Sequence, residues 1–199
     1  MNAIEALHQT GSGASDFARG YLDYLSRILA KLDATAIGAF AELLLEARER
    51  GSRIYFIGNG GSASTASHFA NDLSIGSRSW EKPYHVISLT DNNAILTAIG
   101  NDFGFEEIFV LQLKTQLKPK DVVVAISVSG NSPNILKAID FANSIGAQTV
   151  GVTGFDGGRL KEIAQMNVHA PTVRGEYGPA EDVHMILNHL VGAFLTNAR

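Results

Sequence analysis

The chain has 199 residues, of which 45% are hydrophobic and 18% charged, with a net charge of −4 and no cysteine. These values are typical of a globular protein that can bury a core, and they favour a single domain, 1–199. They exclude disulfides and thiolate sites, and the lack of a basic run argues against nucleic acid as a partner. No segment predicts a signal peptide or a membrane span, so we expect a cytoplasmic protein with no membrane partner.

The N-terminal part predicts helices. Residues 1–13 predict a frayed, flexible segment. Apolar residues at helical spacing over 14–50 then predict a hairpin of two helices, with Asp33 capping the second and Gly51 ending it. We expect this hairpin to cover the sheet described next or to pack against another subunit.

Strands and helices alternate through 51–199, which predicts a parallel sheet covered by helices on both faces. Five strands in this pattern favour a three-layer, doubly wound α/β fold, which binds ligands at the carboxyl ends of its strands. The predicted strands are 54–57, 84–89, 122–126, 148–152 and 166–169. The predicted helices begin at Ser62 and then cover 91–99, 105–117, 132–144, 157–164 and 179–197.

A glycine loop, 58–61, joins the first strand to the helix that begins at Ser62. This geometry binds phosphate, because free N–H groups and the positive end of the helix dipole face the ligand. The spacing of Gly58, Gly60 and Ala63 also matches the dinucleotide fingerprint, but no acidic residue ends the next strand as that fingerprint requires. The lysine motif of P-loop NTPases is absent, and a tight turn without a ligand stays an alternative.

A serine loop follows the most strand-like run of the chain. Ser127, Ser129 and Ser132 supply three hydroxyl groups near a predicted helix start, with Ser132 as N-cap and Pro133 in the first turn. Serine hydroxyls and backbone amides can bind an anion without lysine or arginine. The alternative is that these residues only cap the helix.

Two helices carry polar side chains away from their predicted buried faces. His68 and Asp72 are four residues apart and therefore neighbours on one helix, and Glu181 and His189 lie on the last helix. Two histidines and two carboxylates could bind a divalent metal such as zinc, although four solvated surface residues are the alternative. The predicted core stripe of the last helix is Val183, Ile186, Leu187, Leu190 and Phe194, and His184 flanks it as a packing or supporting residue.

The two loops, together with three further motifs, resemble the SIS (sugar isomerase) family and its phosphoheptose isomerase branch. The further motifs are His68-Phe69-Ala70, Gly-Asn-Asp-Phe-Gly at 100–104 and Thr-Gly-Phe-Asp-Gly-Gly at 153–158. The resemblance runs from about residue 14 to the C-terminus. It implies flavodoxin-like strand order, a homotetramer, and conversion of the sugar phosphate sedoheptulose 7-phosphate to glycero-manno-heptose 7-phosphate for bacterial surface-glycan biosynthesis.

The resemblance also implies roles for individual residues. It implies a divalent metal, expected to be zinc, at His68, Asp72, Glu181 and His189, and acid–base catalysis by Asp72, Glu181 and His189. The residues expected to bind substrate are Asn59, Gly60, Gly61, Ser62, Asp72, Thr90, Asp91, Ser127, Val128, Ser129, Ser132 and Glu181. This chain departs from similar family members, which often have Glu in place of Asp72 and Gln in place of Glu181.

A second function stays open at this point. SIS domains also serve as non-catalytic sensors or adaptors, including a relative that associates with the DnaA replication initiator. Such a protein would keep the phosphate loops without needing the acid–base residues.

Overall fold

Apolar, β-branched runs form the strands of the central sheet. They are β1 (Arg53–Gly58), β2 (His85–Ser88), β3 (Val122–Ser127), β4 (Gln148–Thr153) and β5 (Met166–His169). The strands pair in parallel in the order β2-β1-β3-β4-β5, which confirms the doubly wound sheet with flavodoxin-like order. The strand order reverses between β1 and β3, and the loops after these two strands flank the crevice where such sheets bind ligands.

The computed structural model describes residues 2–10 and 13–198. The α-helices of this part are α1 (Ala3–Thr10), α2 (Ala14–Leu29), α3 (Ala34–Arg50), α4 (Gly61–Asn71), α5 (Asn93–Asp102), α6 (Val110–Gln116), α7 (Pro133–Ser144), α8 (Gly158–Ile163) and α9 (Tyr177–Asn197). A π-helical turn, Asp72–Gly76, extends α4, and a 3₁₀ turn, Phe105–Glu107, precedes α6. None of the described helices is long and apolar enough to span a membrane.

Two apolar clusters, one on each face of the sheet, give the fold its three layers. Alternate residues of β1 belong to different clusters: Ile54 and Phe56 to one, Tyr55 and Ile57 to the other. Helices α3, α4 and α9 bury side chains in the first cluster, and α6, α7 and α8 in the second. A parallel sheet covered on both faces buries both faces of its central strands, and all residues of β1 after Arg53 and all residues of β3 are buried.

The N-terminal segment differs from its prediction. The structure has helix α1 within 1–13, where the sequence predicts a frayed segment, while Met1, Gly11 and Ser12 lie outside the described residues. Helix α1 contacts α2, so tertiary packing stabilises a helix too short to form alone. Helix α3 has the predicted Asp33 cap and a left-handed Gly51 at its end. The single-domain organisation stays a prediction.

The structure differs from the prediction at the starts of two helices and on the buried face of a third. Helix α4 begins one residue earlier than predicted, with Gly60 rather than Ser62 as N-cap. Asn92, not Asp91, caps α5 through a hydrogen bond from the N–H of Ile95. On α9, Leu190 and Phe194 are 47% and 50% exposed instead of in the core. The buried stripe of α9 instead continues through Val191 and Leu195, which lie at a spacing of four residues after Leu187.

Candidate active site

Adjacent loops at the carboxyl ends of β1 and β3 form the first part of the site. The side-chain amides of Asn59 and Asn134 exchange two hydrogen bonds, each 2.9 Å long, between these loops. Asn134 is 1% exposed, and its Oδ1 also accepts the N–H of Ile135. The pair therefore joins the glycine loop to the start of α7.

Glycine is required where the first loop turns into α4. Gly60 has φ 55° and ψ −123°, a conformation that residues with a Cβ rarely adopt. At the next position, a Cβ on Gly61 would overlap the carboxylate of Glu181. The absence of a side chain at 61 thus allows α9 to bring Glu181 against the loop.

A cavity of about 180 Å³ lies between the two loops and α9. Its lining residues are Asn59, Ser62, Ile126, Ser127, Val128, Ser129, Ser132, Tyr177 and Glu181. The Oγ atoms of Ser127 and Ser129 accept backbone N–H groups of Gly130 and Asn131, so their own hydroxyl protons are available to a ligand. Ser132 is the predicted N-cap of α7, yet within the described residues its side chain forms no capping hydrogen bond.

These serines suit an anionic ligand. Hydroxyl donors and the N-terminus of α7 converge on one cavity, and the helix dipole favours negative charge there. Glu181 is the acidic side chain among the lining residues. Burial, and then the negative charge of Asp182, raise the pKa of the Glu181 carboxyl above its usual range. A carboxyl group with a raised pKa is suited to proton transfer.

A second polar group lies where α4 meets α9. His68 Nε2 is 3.3 Å from Asp72 Oδ2 and 3.3 Å from His189 Nε2. The ligand atoms of these three residues all lie within 4.8 Å of one another, so they could hold a metal ion. The predicted approach of His68, Asp72 and His189 is thus present in the structure, and we call them the His–Asp–His cluster.

The cluster has ligand atoms of the kinds that bind divalent metals. Imidazole nitrogen and carboxylate oxygen are ordinary ligands of zinc. When ligand atoms lie about 2.1 Å from a tetrahedral zinc ion, neighbouring ligand atoms are about 3.4 Å apart. The separations from His68 Nε2 to Asp72 Oδ2 and to His189 Nε2, each 3.3 Å, are close to that value, within a set whose ligand atoms lie up to 4.8 Å apart.

Glu181, the fourth predicted ligand, is not among the three residues of this cluster. Eight positions along α9 separate Glu181 from His189, a rise of about 12 Å. The Glu181 carboxylate lies against Gly61 in the serine cavity instead. The structure thus brings together three of the four predicted ligands, and a metal-binding role for Glu181 stays a prediction.

Thr90 and Asp91 lie outside the serine cavity, although both were predicted to bind substrate. They form a hydroxyl–carboxylate group with Ser67 of α4, whose hydroxyl contacts Thr90 Oγ1 at 3.0 Å and donates to Asp91 Oδ1. Asp91 and Ser67 line a separate cavity beside β2, at the edge of the sheet. Substrate binding by Thr90 and Asp91 stays a prediction.

His184 packs in the core, as interpreted from the sequence. It is fully buried, and its Nε2–H donates to the carbonyl of Thr153 at 3.1 Å. Burial lowers the pKa of His184 to about 4. His169 ends β5, and its Nδ1 lies 2.9 Å from Thr153 Oγ1, so both histidines have structural partners.

Sequence reasoning missed three residues of the site. They are Asn134, which pairs with Asn59; Tyr177, which lines the serine cavity; and Asn188, which donates to Asp72 Oδ2 at 2.9 Å. Asn188 had a sequence signal, because it interrupts the apolar stripe of α9 between Leu187 and Val191. Asn134 had none beyond its position in the first turn of α7.

Comparison with known proteins supplies independent information. The family model described as SIS domain matches residues 16–154. The phosphoheptose isomerase of Geotalea daltonii is 40% identical over 157 residues, 77% of this chain and 82% of the relative. That of Rhodospirillum rubrum is 36% identical over 165 residues, covering 83% and 87%. The structure of the Neisseria gonorrhoeae phosphoheptose isomerase superposes with a TM-score of 0.75 at 29% identity, covering 88% of this chain and 90% of that one.

Proposed function

The chain belongs to the SIS-domain family, in its phosphoheptose isomerase branch, and on that premise we propose that it isomerises sedoheptulose 7-phosphate to glycero-manno-heptose 7-phosphate. The pathway served would be bacterial surface-glycan biosynthesis. One observation carries the proposal: α9 contributes Glu181 to a serine-lined cavity and His189 to the His–Asp–His cluster. A helix that carries proton-transfer groups beside an anion site suits the isomerisation of a phosphorylated sugar.

The serine cavity would bind the phosphate group. Ser127, Ser129 and Ser132 surround it with hydroxyl donors, and α7 directs its N-terminus towards it. The glycine loop, held by the Asn59–Asn134 pair, would contact sugar hydroxyls through its backbone and the Asn59 amide. Anchoring the phosphate fixes the sugar chain, so that its reacting carbons stay near the acid and the base.

Aldose–ketose isomerisation moves a proton between C1 and C2 through an enediolate. It needs a base, an acid and stabilisation of the oxygen on which negative charge develops. Asp72 or Glu181 would be the base, and His189 the acid. The raised pKa of Glu181 supports the Glu181 assignment, since a base with a pKa closer to neutral accepts a proton more effectively.

The His–Asp–His cluster would hold a divalent metal, and we propose zinc. Two imidazoles and one carboxylate leave an open position of the kind found in catalytic zinc sites. Zinc bound there would supply electrophilic polarisation of a carbonyl or hydroxyl oxygen. Without the ion, the 3.3 Å contact between His68 and His189 requires one imidazole to donate a hydrogen bond to the other.

The proposal includes a homotetramer in the cytoplasm. The exposed apolar side chains Leu190 and Phe194 on α9, next to His189, support assembly, because a face of this kind is usually covered by another subunit. A non-catalytic sensor or adaptor is not favoured. The relatives at 36% and 40% identity are phosphoheptose isomerases, and the residues expected as metal ligands or acid–base groups, His68, Asp72, Glu181 and His189, are all present.

The test is an isomerisation assay on purified protein with sedoheptulose 7-phosphate, with added zinc or with a chelator. We expect an aldoheptose phosphate as product and loss of turnover in the chelator that zinc restores. His189→Ala should lower turnover by about 10²-fold or more, whereas His85→Ala, at an exposed position in β2, should not. Protein that binds sugar phosphates in a thermal-shift assay but forms no product would favour a sensor.

A further inference from the structure

Asn188 is a buried amide on the face of α9 that packs into the core, one turn after the buried His184. Its side chain is 0% exposed, and its Nδ2 donates to Asp72 Oδ2 over 2.9 Å. The same carboxylate oxygen lies 3.3 Å from His68 Nε2. Asn188 therefore holds, from the inside of the fold, the oxygen that faces the His–Asp–His cluster.

The orientation of the amide follows from the chemistry of its partner. An ionised carboxylate only accepts hydrogen bonds, so the NH₂ group of Asn188 must face Asp72. The amide oxygen then faces the interior, where it has no hydrogen-bond partner among the described residues. A buried amide oxygen without a partner is destabilising, and leucine, which has the same branched shape but is bulkier and apolar, would avoid that cost. Packing of α9 alone therefore does not account for asparagine at 188.

We propose that Asn188 is a positioning residue that orients the Asp72 carboxylate for metal binding in the His–Asp–His cluster. The inference rests on the proposed zinc site. Asp72 lies at the junction of α4 and the π-helical turn, its side chain is 25% exposed, and Asn71 Nδ2 donates to its Oδ1 over 3.2 Å. The hydrogen bond from α9 holds the other oxygen, Oδ2, which is the one that faces His68. Groups that orient a ligating carboxylate in this way typically contribute 10–100-fold to metal affinity.

The test compares Asn188→Leu with the unaltered chain in two measurements. The first is the zinc dissociation constant, by competition with a chromophoric chelator. The second is the melting temperature of metal-free protein. We expect zinc binding to weaken by about 10–100-fold, and the melting temperature to stay the same or rise because the unpaired amide oxygen is gone. A residue with a merely structural role would give the opposite pattern, a lower melting temperature with unchanged zinc affinity.

A second pair of variants covers the case in which leucine is not accommodated. Asn188→Ala removes the same donor without added bulk and should weaken zinc binding in the same direction. In an Asp72→Ala background, the further change Asn188→Ala should leave zinc affinity unaltered, because the carboxylate that it orients is absent. Equal effects in the two backgrounds would overturn the inference.

The outcomes separate this inference from the proposed function. Unaltered protein that binds no zinc overturns the metal site and the role of Asn188 together. Unaltered protein that binds zinc, with variants at 188 that bind it equally well, overturns only the positioning role.

Discussion

Asn59 and Asn134 are 75 positions apart in the chain, yet their side-chain amides form a reciprocal pair of 2.9 Å hydrogen bonds. The pair bridges the loops after β1 and β3, where the strand order of the sheet reverses. Asn134 is almost fully buried and lies in the first turn of α7. The pair therefore sets the separation of the two loops that we propose to bind sugar and phosphate.

Asn134→Leu should weaken substrate binding. The variant loses both bonds to Asn59 and the one from the N–H of Ile135, so at about 1 kcal/mol net for each bond stability should fall by about 2–3 kcal/mol. Because the two loops are then no longer held together, we expect KM to rise by about tenfold. Steady-state kinetics and denaturant unfolding measure these effects. Asn143→Leu, at the other end of α7, removes bonds to Ile163 and Thr149 and should lower stability without changing KM. Equal KM changes in both variants would contradict a specific role for the pair.

Gly61→Ala should lower turnover with little change in stability. The added Cβ would displace the flexible carboxylate of Glu181 from the serine cavity, so we expect turnover to fall by about tenfold or more. Helical alanine is favoured over glycine by about 0.5–1 kcal/mol, which offsets the strain of moving Glu181. Gly38→Ala in α3 is the control, since its Cβ would meet nothing within 4 Å and should only stabilise. Full turnover in Gly61→Ala would remove Glu181 from the mechanism.

Asp182→Asn should shift the acidic limb of the kcat/KM profile to lower pH. Burial and the charge of Asp182 raise the pKa of Glu181, and removing that charge makes ionisation of Glu181 easier. The Tyr21 hydroxyl, which donates to Asp182 Oδ2 over 2.5 Å, can still donate to the amide oxygen of the variant. If the acidic limb stays at the same pH in Asp182→Asn, the group that titrates there is not Glu181.

Tyr24→Phe should reduce the loss of stability at alkaline pH. Burial and the hydrogen bond to Glu176 raise the pKa of Tyr24 from 10.0 to about 12. The folded chain therefore holds this proton more tightly than the unfolded chain. The resulting stabilisation is complete below pH 10 and is lost as the pH rises from 10 to about 12. Denaturant unfolding across this range should show a shallower decline in the variant, and parallel curves would contradict the assignment.

Local patterns predicted most of the elements. Apolar β-branched runs indicated β1 and β3, and Asp33 and Gly51 marked the ends of α3 where the structure has them. Such features depend on neighbours within a few residues, and the sequence shows them directly. The faces of α9 were less predictable. The sequence predicts that Leu190 and Phe194 lie in the core, but both are exposed. Hydrophobic periodicity shows which residues are apolar, and it does not show which side of a helix packs on the sheet.

In the site, too, the local features were predictable from the sequence and the contacts between elements were not. The sequence alone indicated the two loops and the four polar residues, because phosphate binding and metal ligation require particular residue types at short spacing. Only the tertiary structure decided which of those residues meet. It brings His189 to His68 and Asp72, directs Glu181 to the serine cavity, and leaves Asp91 beside Ser67. These contacts join residues on different elements, so their geometry depends on how the helices pack on the sheet and not on local sequence.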